Sequence, residues 1–400
     1  MKVNKVMGQD YLILLFASLI YASIGMPIPE SVGVPELLVG MILSLLVIRQ
    51  YLFINNTYLS INPLVYICVL WIVIVPTVIG IILRGNSLGS FVRDFFPILF
   101  MLLPFFLIKR LDYNPVFWVY RLSNLIILVG TLLSLRFISS ESVSFESLNL
   151  GDTAPLNQCP SVIFAAVAAF YFFWLPRYNI FLRLLYLIAS VICLSGLMMI
   201  VMRAQIAIIL ISWILVMFYI ASKSKRALLY VLLSSFIIFT YILIFHSEEI
   251  AWTIEMIGAK NDAAGLLNSR DAELLAIFAL LKSNVFTFLF GEGWGSMVYL
   301  QTAGKVVKYT HNSTLFYLWK LGFVGYIFYF IYWINILGIK KLLINFSSIF
   351  KKDFPLLLAC IASLLVFGVI EMGYKILTFS LVAMVFRAIV MSHDFNRIND

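Results

Sequence analysis

Residues 291–333 read GEGWGSMVYLQTAGKVVKYTHNSTLFYLWKLGFVGYIFYFIYW. A polar segment broken by glycines runs directly into an apolar segment of about 20 residues, the length that crosses a bilayer as a helix. Between the two lie Thr310, Asn312 and Ser313, whose side-chain oxygens can accept from the first free N–H groups of a helix. The sequence therefore predicts a membrane helix that begins at the membrane–water boundary, directly after a polar loop.

His311 stands at this predicted helix start, and Lys305 and Lys308 precede it. A helix N-terminus attracts anions and disfavours a protonated imidazole. We therefore expect His311 to be neutral, able to accept a proton and close to an anion site. This combination indicates chemistry on a phosphate-bearing substrate at the membrane surface. The alternative is that His311 only caps the helix or donates a structural hydrogen bond.

The composition is typical of a polytopic membrane protein, with 63% hydrophobic and 12% charged residues and a mean hydropathy of +1.03. Apolar runs of about 20 residues recur along the chain, so we expect one polytopic membrane domain over residues 1–400. The basic residues behind the net charge of +9 lie in short loops between these runs, and we expect no nucleic-acid partner.

The apolar runs predict about twelve spans. They cover residues 10–26, 35–54, 63–83, 94–108, 116–138, 160–176, 180–200, 205–221, 227–245, 312–337, 355–372 and 376–391. Lysine and arginine concentrate in alternate loops, which predicts that both termini are cytoplasmic. Residues 246–311 then form a large extracytoplasmic loop between spans nine and ten. Within it, residues 272–290 are apolar around Lys282, which favours a helix lying on or dipping into the outer leaflet.

Several cations lie on the predicted outer face, among them Arg84, Arg93, Arg203, Arg270 and Lys308. One interpretation is that each is an ordinary interfacial cation that reaches water or lipid headgroups. Their convergence on the face that carries His311 favours a cationic pocket suited to a diphosphate. Arg203 has apolar residues on both sides, and this position is costly unless the side chain faces a polar cavity or an anion.

The segment 291–295, GEGWG, follows no predicted strand and lacks the lysine–serine ending of a nucleotide-binding loop. We interpret it as a flexible turn, although Glu292 and Trp294 could face a sugar. His246 and His393 are not at metal-ligand spacing from His311, and no HExxH pattern is present. The sequence therefore predicts neither a metal site nor a cofactor.

A large late loop ending in His-Asn, followed by apolar residues and Leu-Gly, resembles the O-antigen ligase and O-antigen polymerase (Wzy) superfamily. The resemblance covers about residues 190–335 and rests on His311-Asn312, Leu315, Leu318, Leu321-Gly322, Arg203 between spans seven and eight, and Gly293-Trp294-Gly295. The superfamily often has Ser-Arg-Gly where this chain has Met202-Arg203-Ala204.

This resemblance implies a GT-C-like, metal-independent membrane glycosyltransferase in the bacterial cytoplasmic (inner) membrane. Such enzymes move a glycan from undecaprenyl diphosphate to an acceptor hydroxyl on the outer face. By this likeness, His311 is the catalytic base or the group that orients the acceptor, and Arg203 and Arg270 bind the diphosphate. The further candidate contacts to acceptor or glycan are Asn312, Glu292, Trp294, Lys308, Arg84 and Arg93.

Within the superfamily we favour a polymerase, which adds the glycan to a lipid-linked repeat unit, over a ligase, which delivers it to lipid A core. Glycosylation of a protein acceptor is a third option. The contrasting class is a transporter such as a lipid-linked oligosaccharide flippase, but transporters usually show repeated halves. The partners expected of a polymerase are the undecaprenyl-diphosphate-linked oligosaccharide, the lipid bilayer, and a chain-length regulator and flippase of the same pathway.

Overall fold

The computed structural model describes residues 2–25, 33–53, 62–140, 156, 159–200, 202–223, 229, 270–300, 305–308, 310, 312–370 and 376–399. Helices make up nearly all of this part of the chain, and a two-stranded antiparallel hairpin is its one sheet. Seven helical segments within it are long and apolar enough to cross a membrane. The protein is therefore an all-α membrane protein.

The first eight helices are α1 (Lys2–Ile24), α2 (Val34–Phe53), α3 (Pro63–Thr77), α4 (Leu88–Tyr113), α5 (Pro115–Ser140), α6 (Pro160–Trp174), α7 (Ile180–Met199) and α8 (Arg203–Ala221). The later elements are α9 (Arg270–Lys282), α10 (Val285–Phe290), β1 (Val298–Leu300), β2 (Lys305–Val307), α11 (Ser313–Leu337), α12 (Ile339–Lys352), α13 (Phe354–Leu365) and α14 (Leu377–Asn399). Segments of π-helix continue α3 over Val78–Leu83 and α13 over Val366–Ile370.

A helix occupies each predicted span within the described residues, and the predicted ninth span, 227–245, lies outside them except for residue 229. One difference in boundary that bears on the site is at α4, for which the sequence predicted residues 94–108. The helix begins earlier because the Ser87 side chain accepts from the Ser90 N–H and caps it there. Arg93, which was predicted to flank an outer loop, therefore lies inside a helix together with Asp94.

The apolar segment 272–290 was predicted as one helix, and the structure divides it into α9 and α10. The division falls at Ser283 and Asn284. The Asn284 side chain accepts from the Phe286 N–H at 2.7 Å and so caps a new helix. Asparagine is a strong N-cap residue, and this signal outweighs the continuous hydrophobicity of the segment.

Two of the shorter apolar helices, α6 and α14, lie at the centre of the bundle. Twelve of the fifteen residues of α6 are buried, and it packs against α5, α7 and α13. Its alanines, Ala165, Ala166, Ala168 and Ala169, allow neighbouring helices to approach closely. α14 is buried from Leu377 to His393 and packs against α4 and α5. Both helices are therefore enclosed by protein along most of their length.

The ends of α3 and α4 that meet at Leu83 and Leu88 lie at the same end of the bundle as the start of α11, and we call this the loop end. The opposite end is held by polar contacts between helices: Arg110 with Asp10 at 2.7 Å, Arg387 with Asp112 at 2.6 Å, and His393 with Asp353 at 2.8 Å. Arg387 also donates to the last carbonyl oxygens of α11. These contacts fix the C-terminal end of α11. The functional site is predicted at the opposite end, where this helix begins.

Candidate functional site

Residues 291–295, which we call the glycine loop, are bound tightly to two helices. Three of its backbone N–H groups donate to helix carbonyl oxygens, each at 3.0 Å: Glu292 to Trp319, Gly293 to Lys320, and Trp294 to Pro76. The expectation of a flexible turn is therefore wrong. The loop is a packed element that joins α3 to α11.

The acceptors in α11 are free because the helix is broken at Gly322. Its backbone has φ +66° and ψ −178°, which interrupts the helical hydrogen bonds and leaves carbonyl oxygens before it without helical partners. Gly291, with φ +78°, lies directly against this break. A Cβ atom built on Gly291 would lie 2.5 Å from the Lys320 carbonyl oxygen. Glycine is required on both sides of this contact, since the two backbones touch.

Trp294 fixes the other side of the glycine loop. Pro76 has no N–H, so the Ile72 carbonyl oxygen lacks its helical donor, and the Trp294 indole N–H donates to that oxygen at 3.2 Å. The side chain is fully buried and packs against Phe316 at a ring-centroid distance of 6.3 Å. The predicted glycan contact of Trp294 is not supported in this structure, because no face of the ring is open to a sugar.

A buried ion pair lies under the glycine loop. The Lys320 Nζ atom is 2.6 Å from Asp94 Oδ2 and 2.5 Å from the Ser296 carbonyl oxygen, and both charged side chains are fully buried. Asp94 Oδ2 also accepts from the Gly295 N–H at 2.9 Å. Arg93 donates twice to Asp94 Oδ1, at 3.1 and 3.0 Å. One carboxylate is therefore shared by two cations and also binds the loop backbone.

Sequence reasoning did not identify Lys320 or Asp94 as site residues. A lysine inside an apolar run of membrane length is costly, and such a residue usually has a partner or faces a polar cavity. Lys320, within the apolar residues 313–337, is such a lysine. Asp94 gave little signal, because it fell at the edge of the predicted span.

Arg84 and Glu292 form a second ion pair at the loop end. Arg84 Nη2 lies 2.9 Å from Glu292 Oε1 and donates to Thr287 Oγ1 at 2.6 Å, and Thr287 in turn donates to Glu292 at 3.1 Å. The Arg84 side chain is 34% exposed. Within the described residues, its Nε and Nη1 atoms make no hydrogen bond. Arg84 is therefore a partly exposed cation whose position is fixed by Glu292.

The start of α11 agrees with the sequence prediction. Asn312 is the N-cap, and its Oδ1 atom accepts from the Thr314 N–H at 2.7 Å and the Leu315 N–H at 3.3 Å. Thr310 donates to the Asn312 carbonyl oxygen at 2.7 Å. His311 lies outside the described residues, between these two. Because Trp294 packs against Phe316 in the first turns of α11, the glycine loop lies close to this helix start.

The remaining predicted site residues lie on other elements. Arg203 is the first residue of α8, partly exposed, and within the described part its side chain makes no hydrogen bond or ion pair. Arg270 is the first residue of α9, and its side chain lies outside the described part. α9 packs against β1, α10 and α11, whereas α8 packs against α6, α7 and α13. Lys308 follows β2 and is half-buried.

The structure thus brings Arg84, Arg93, Glu292 and the start of α11 together at one end of the bundle. Comparisons of the chain with protein-family models and with characterised proteins give no match.

Proposed function

We propose that this chain is a metal-independent glycosyltransferase of the bacterial cytoplasmic membrane, namely a surface-polysaccharide (O-antigen) polymerase. It transfers a glycan from undecaprenyl diphosphate to a lipid-linked repeat-unit acceptor on the outer face. The observation that supports this proposal most is the clustering of basic side chains at the loop end. Arg84 and Arg93 lie on elements near the N-terminal part of α11, and Lys320 is in α11 itself. His311 directly precedes the cap residue of this helix in the sequence.

The proposed reaction requires two kinds of groups. The acceptor hydroxyl oxygen bonds to the anomeric carbon, while the bond from that carbon to the diphosphate oxygen breaks and its electron pair leaves with the diphosphate. Arginines and a helix N-terminus stabilise the charge that develops on the leaving group. A neutral imidazole accepts the hydroxyl proton or orients the hydroxyl. His311 fills the second role, and the basic residues fill the first.

The arginines have different parts in this proposal. Arg84 has exposed N–H donors and contacts the diphosphate directly. Arg93 is nearly buried and bound to Asp94, so it contributes positive potential and holds the loop. Arg203 and Arg270 are assigned to diphosphate binding because the sequence resembles the superfamily at these positions. The proposal includes a GT-C-like fold with about twelve spans, an extracytoplasmic segment 246–311 and both termini in the cytoplasm.

A ligase would use the same donor and differ in its acceptor. Supplying the purified protein with lipid-linked repeat units alone, or with lipid A core added, separates these two activities. A polymerase lengthens the lipid-linked glycan without added core. A ligase consumes donor when core is present, and it does not lengthen the lipid-linked glycan. The polymerase assignment rests on the general likeness of the chain to that branch.

The Arg84→Lys substitution is expected to weaken binding of the lipid diphosphate donor by about 10- to 100-fold. Lysine keeps the charge and the pairing with Glu292 but loses the planar fork that binds two phosphate oxygens, and a hydrogen bond to a charged group contributes about 1.5–3 kcal/mol. The measurement is equilibrium binding of the donor to purified protein in detergent. Arg121→Lys, on the exposed surface of α5, is the matched control. Wild-type affinity in the Arg84 variant would remove Arg84 from the donor site.

A further inference from the structure

The helix α12 lies at the opposite end of the bundle and has a strong asymmetry of charge and hydrophobicity. Its sequence is IKKLLINFSSIFKK, with four lysines and no acidic residue. It begins directly after Gly338, whose left-handed conformation (φ +70°) ends α11 and turns the chain. Because α11 is of membrane-spanning length, α12 begins where the membrane ends.

The three faces of α12 differ in chemistry. The face made by Leu342, Asn345 and Ile349 packs inward, and α14 is its main neighbour. A second face carries the apolar residues Ile339, Leu343, Phe346 and Phe350, spaced at i, i+4, i+7 and i+11. Leu343 is 71% exposed and Phe346 is 52% exposed. The third face carries Lys340, Ser347 and Lys351 and is interrupted by Ile344, all of them exposed.

Aromatic side chains continue the apolar face beyond α12. Phe346, Phe350, Phe354 and Tyr219 form a row with ring-centroid distances of 5.9, 4.5 and 5.8 Å between successive members. Tryptophan and tyrosine are enriched at the boundary between bilayer and water. Tyr219, at the end of this row, therefore fits a position at the membrane surface, with the three phenylalanines on the apolar side of it.

The C-terminal end of α12 is fixed to α8. The Tyr219 hydroxyl donates to the carbonyl oxygens of Lys351 and Lys352 at 2.9 and 3.0 Å, and Lys223 Nζ donates to the Lys351 carbonyl oxygen at 2.7 Å. Lys223 also lies 4.4 Å from the centre of the Tyr219 ring. Tyr219 thus contacts the backbone of two lysines of α12 and the ammonium group of Lys223, and these contacts set the position of α12.

We propose that α12, together with Tyr219 and Lys223, is a binding surface for anionic lipid headgroups of the leaflet at this end of the protein. An amphipathic basic helix of this kind inserts its apolar face about 5–10 Å into the boundary between headgroups and acyl chains. Its lysines then lie at the level of the phosphates. This surface is independent of the proposed glycan transfer, since it lies at the other end of the bundle.

The test uses the full-length protein in neutral detergent, titrated with phosphatidylglycerol or with phosphatidylcholine of the same acyl chains, and follows the thermal unfolding midpoint. Lys340, Lys351 and Lys352 are replaced together by glutamine. Lys341 is left in place because it contacts Met391. One lysine near an anionic surface contributes about fivefold in affinity, so the half-saturating phosphatidylglycerol concentration should rise about 100-fold. The corresponding triple arginine variant should behave as wild type, and phosphatidylcholine should not distinguish the variants.

Three outcomes would overturn the proposal. Equal dependence on phosphatidylglycerol in the glutamine variant and the wild type would show that α12 does not bind the headgroups. The Lys282→Gln, Lys308→Gln variant removes charge from the loop end. An equal loss of phosphatidylglycerol affinity in this variant would show that the effect comes from net charge. Stabilisation by water-soluble glycerol phosphate at the same concentrations would indicate a free-phosphate site instead of a lipid surface.

Discussion

Glycan transfer should fall by about 10²–10⁴-fold when His311 is replaced by alanine, the usual contribution of a general base. The described residues on either side support this role by geometry. Asn312 caps α11, and His311 is the residue that directly precedes this cap in the sequence. A helix N-terminus disfavours a protonated imidazole, and the proposal relies on this effect. Arg84 and Arg93 lie on elements packed near the same helix start, and each is paired with a carboxylate.

The His311→Gln variant separates proton transfer from hydrogen bonding, because glutamine can bond to the acceptor without accepting its proton. We expect this variant to be nearly as inactive as the alanine variant. His246→Gln, the same change elsewhere in the predicted loop, serves as the control. Transfer is measured with purified lipid-linked donor, and thermal unfolding in detergent confirms the fold of each variant. Near-normal transfer by the His311 glutamine variant would reduce His311 to a structural residue.

Replacing Asp94 with asparagine should destabilise the protein by about 3–5 kcal/mol, the usual effect of leaving a buried charge without its partner. Lys320 would remain fully buried without its carboxylate. The Lys320→Met change should be less harmful, because Asp94 keeps the two hydrogen bonds from Arg93 and the one from the Gly295 N–H. The two substitutions differ because two cations share one carboxylate. Removing the carboxylate leaves both cations without it, whereas removing Lys320 leaves Asp94 paired with Arg93.

A double-mutant cycle tests this arrangement through the free energy of unfolding in detergent micelles. The double variant Asp94→Asn, Lys320→Met removes both charges, so its loss should be smaller than the sum of the two single losses by at least about 1 kcal/mol. Additive losses would show that the two residues do not interact. A loss for Lys320→Met as large as that for Asp94→Asn would contradict the pairing of Asp94 with Arg93.

The helices could be predicted from the sequence because their signals are local. The segment Pro63–Leu83 combines a membrane-length apolar run with Asn62 as its cap, and the helix occupies the predicted residues. The cap at Asn312 was equally visible. The predicted start of α4 was too late, because the span was begun after Arg93 and the capping signal at Ser87 was not considered. The structure uses the charges of Arg93 and Asp94 inside the bundle, where each has a partner.

The candidate site could be predicted only in part, because its contacts join residues far apart in the chain. The Lys320–Asp94 pair spans 226 positions, and no local pattern gives that partner. The glycine loop was predicted to be flexible because glycine usually allows motion. Its order comes from two distant helices: Pro76 leaves a carbonyl oxygen for Trp294, and Gly322 leaves carbonyl oxygens for the loop backbone. The roles of His311, Arg203 and Arg270 stay predictions.

The most direct test of the proposed function is transfer by the purified wild-type protein, supplied with undecaprenyl-diphosphate-linked repeat units in the presence of a strong divalent-metal chelator. We predict that longer lipid-linked glycans form, that free undecaprenyl diphosphate is released with each transfer, and that the chelator leaves the rate unchanged. The proposal would be contradicted if the folded protein, supplied with its natural donor, did not lengthen the lipid-linked glycan. Transfer that stops on chelation and returns when a divalent metal ion is added would also contradict it.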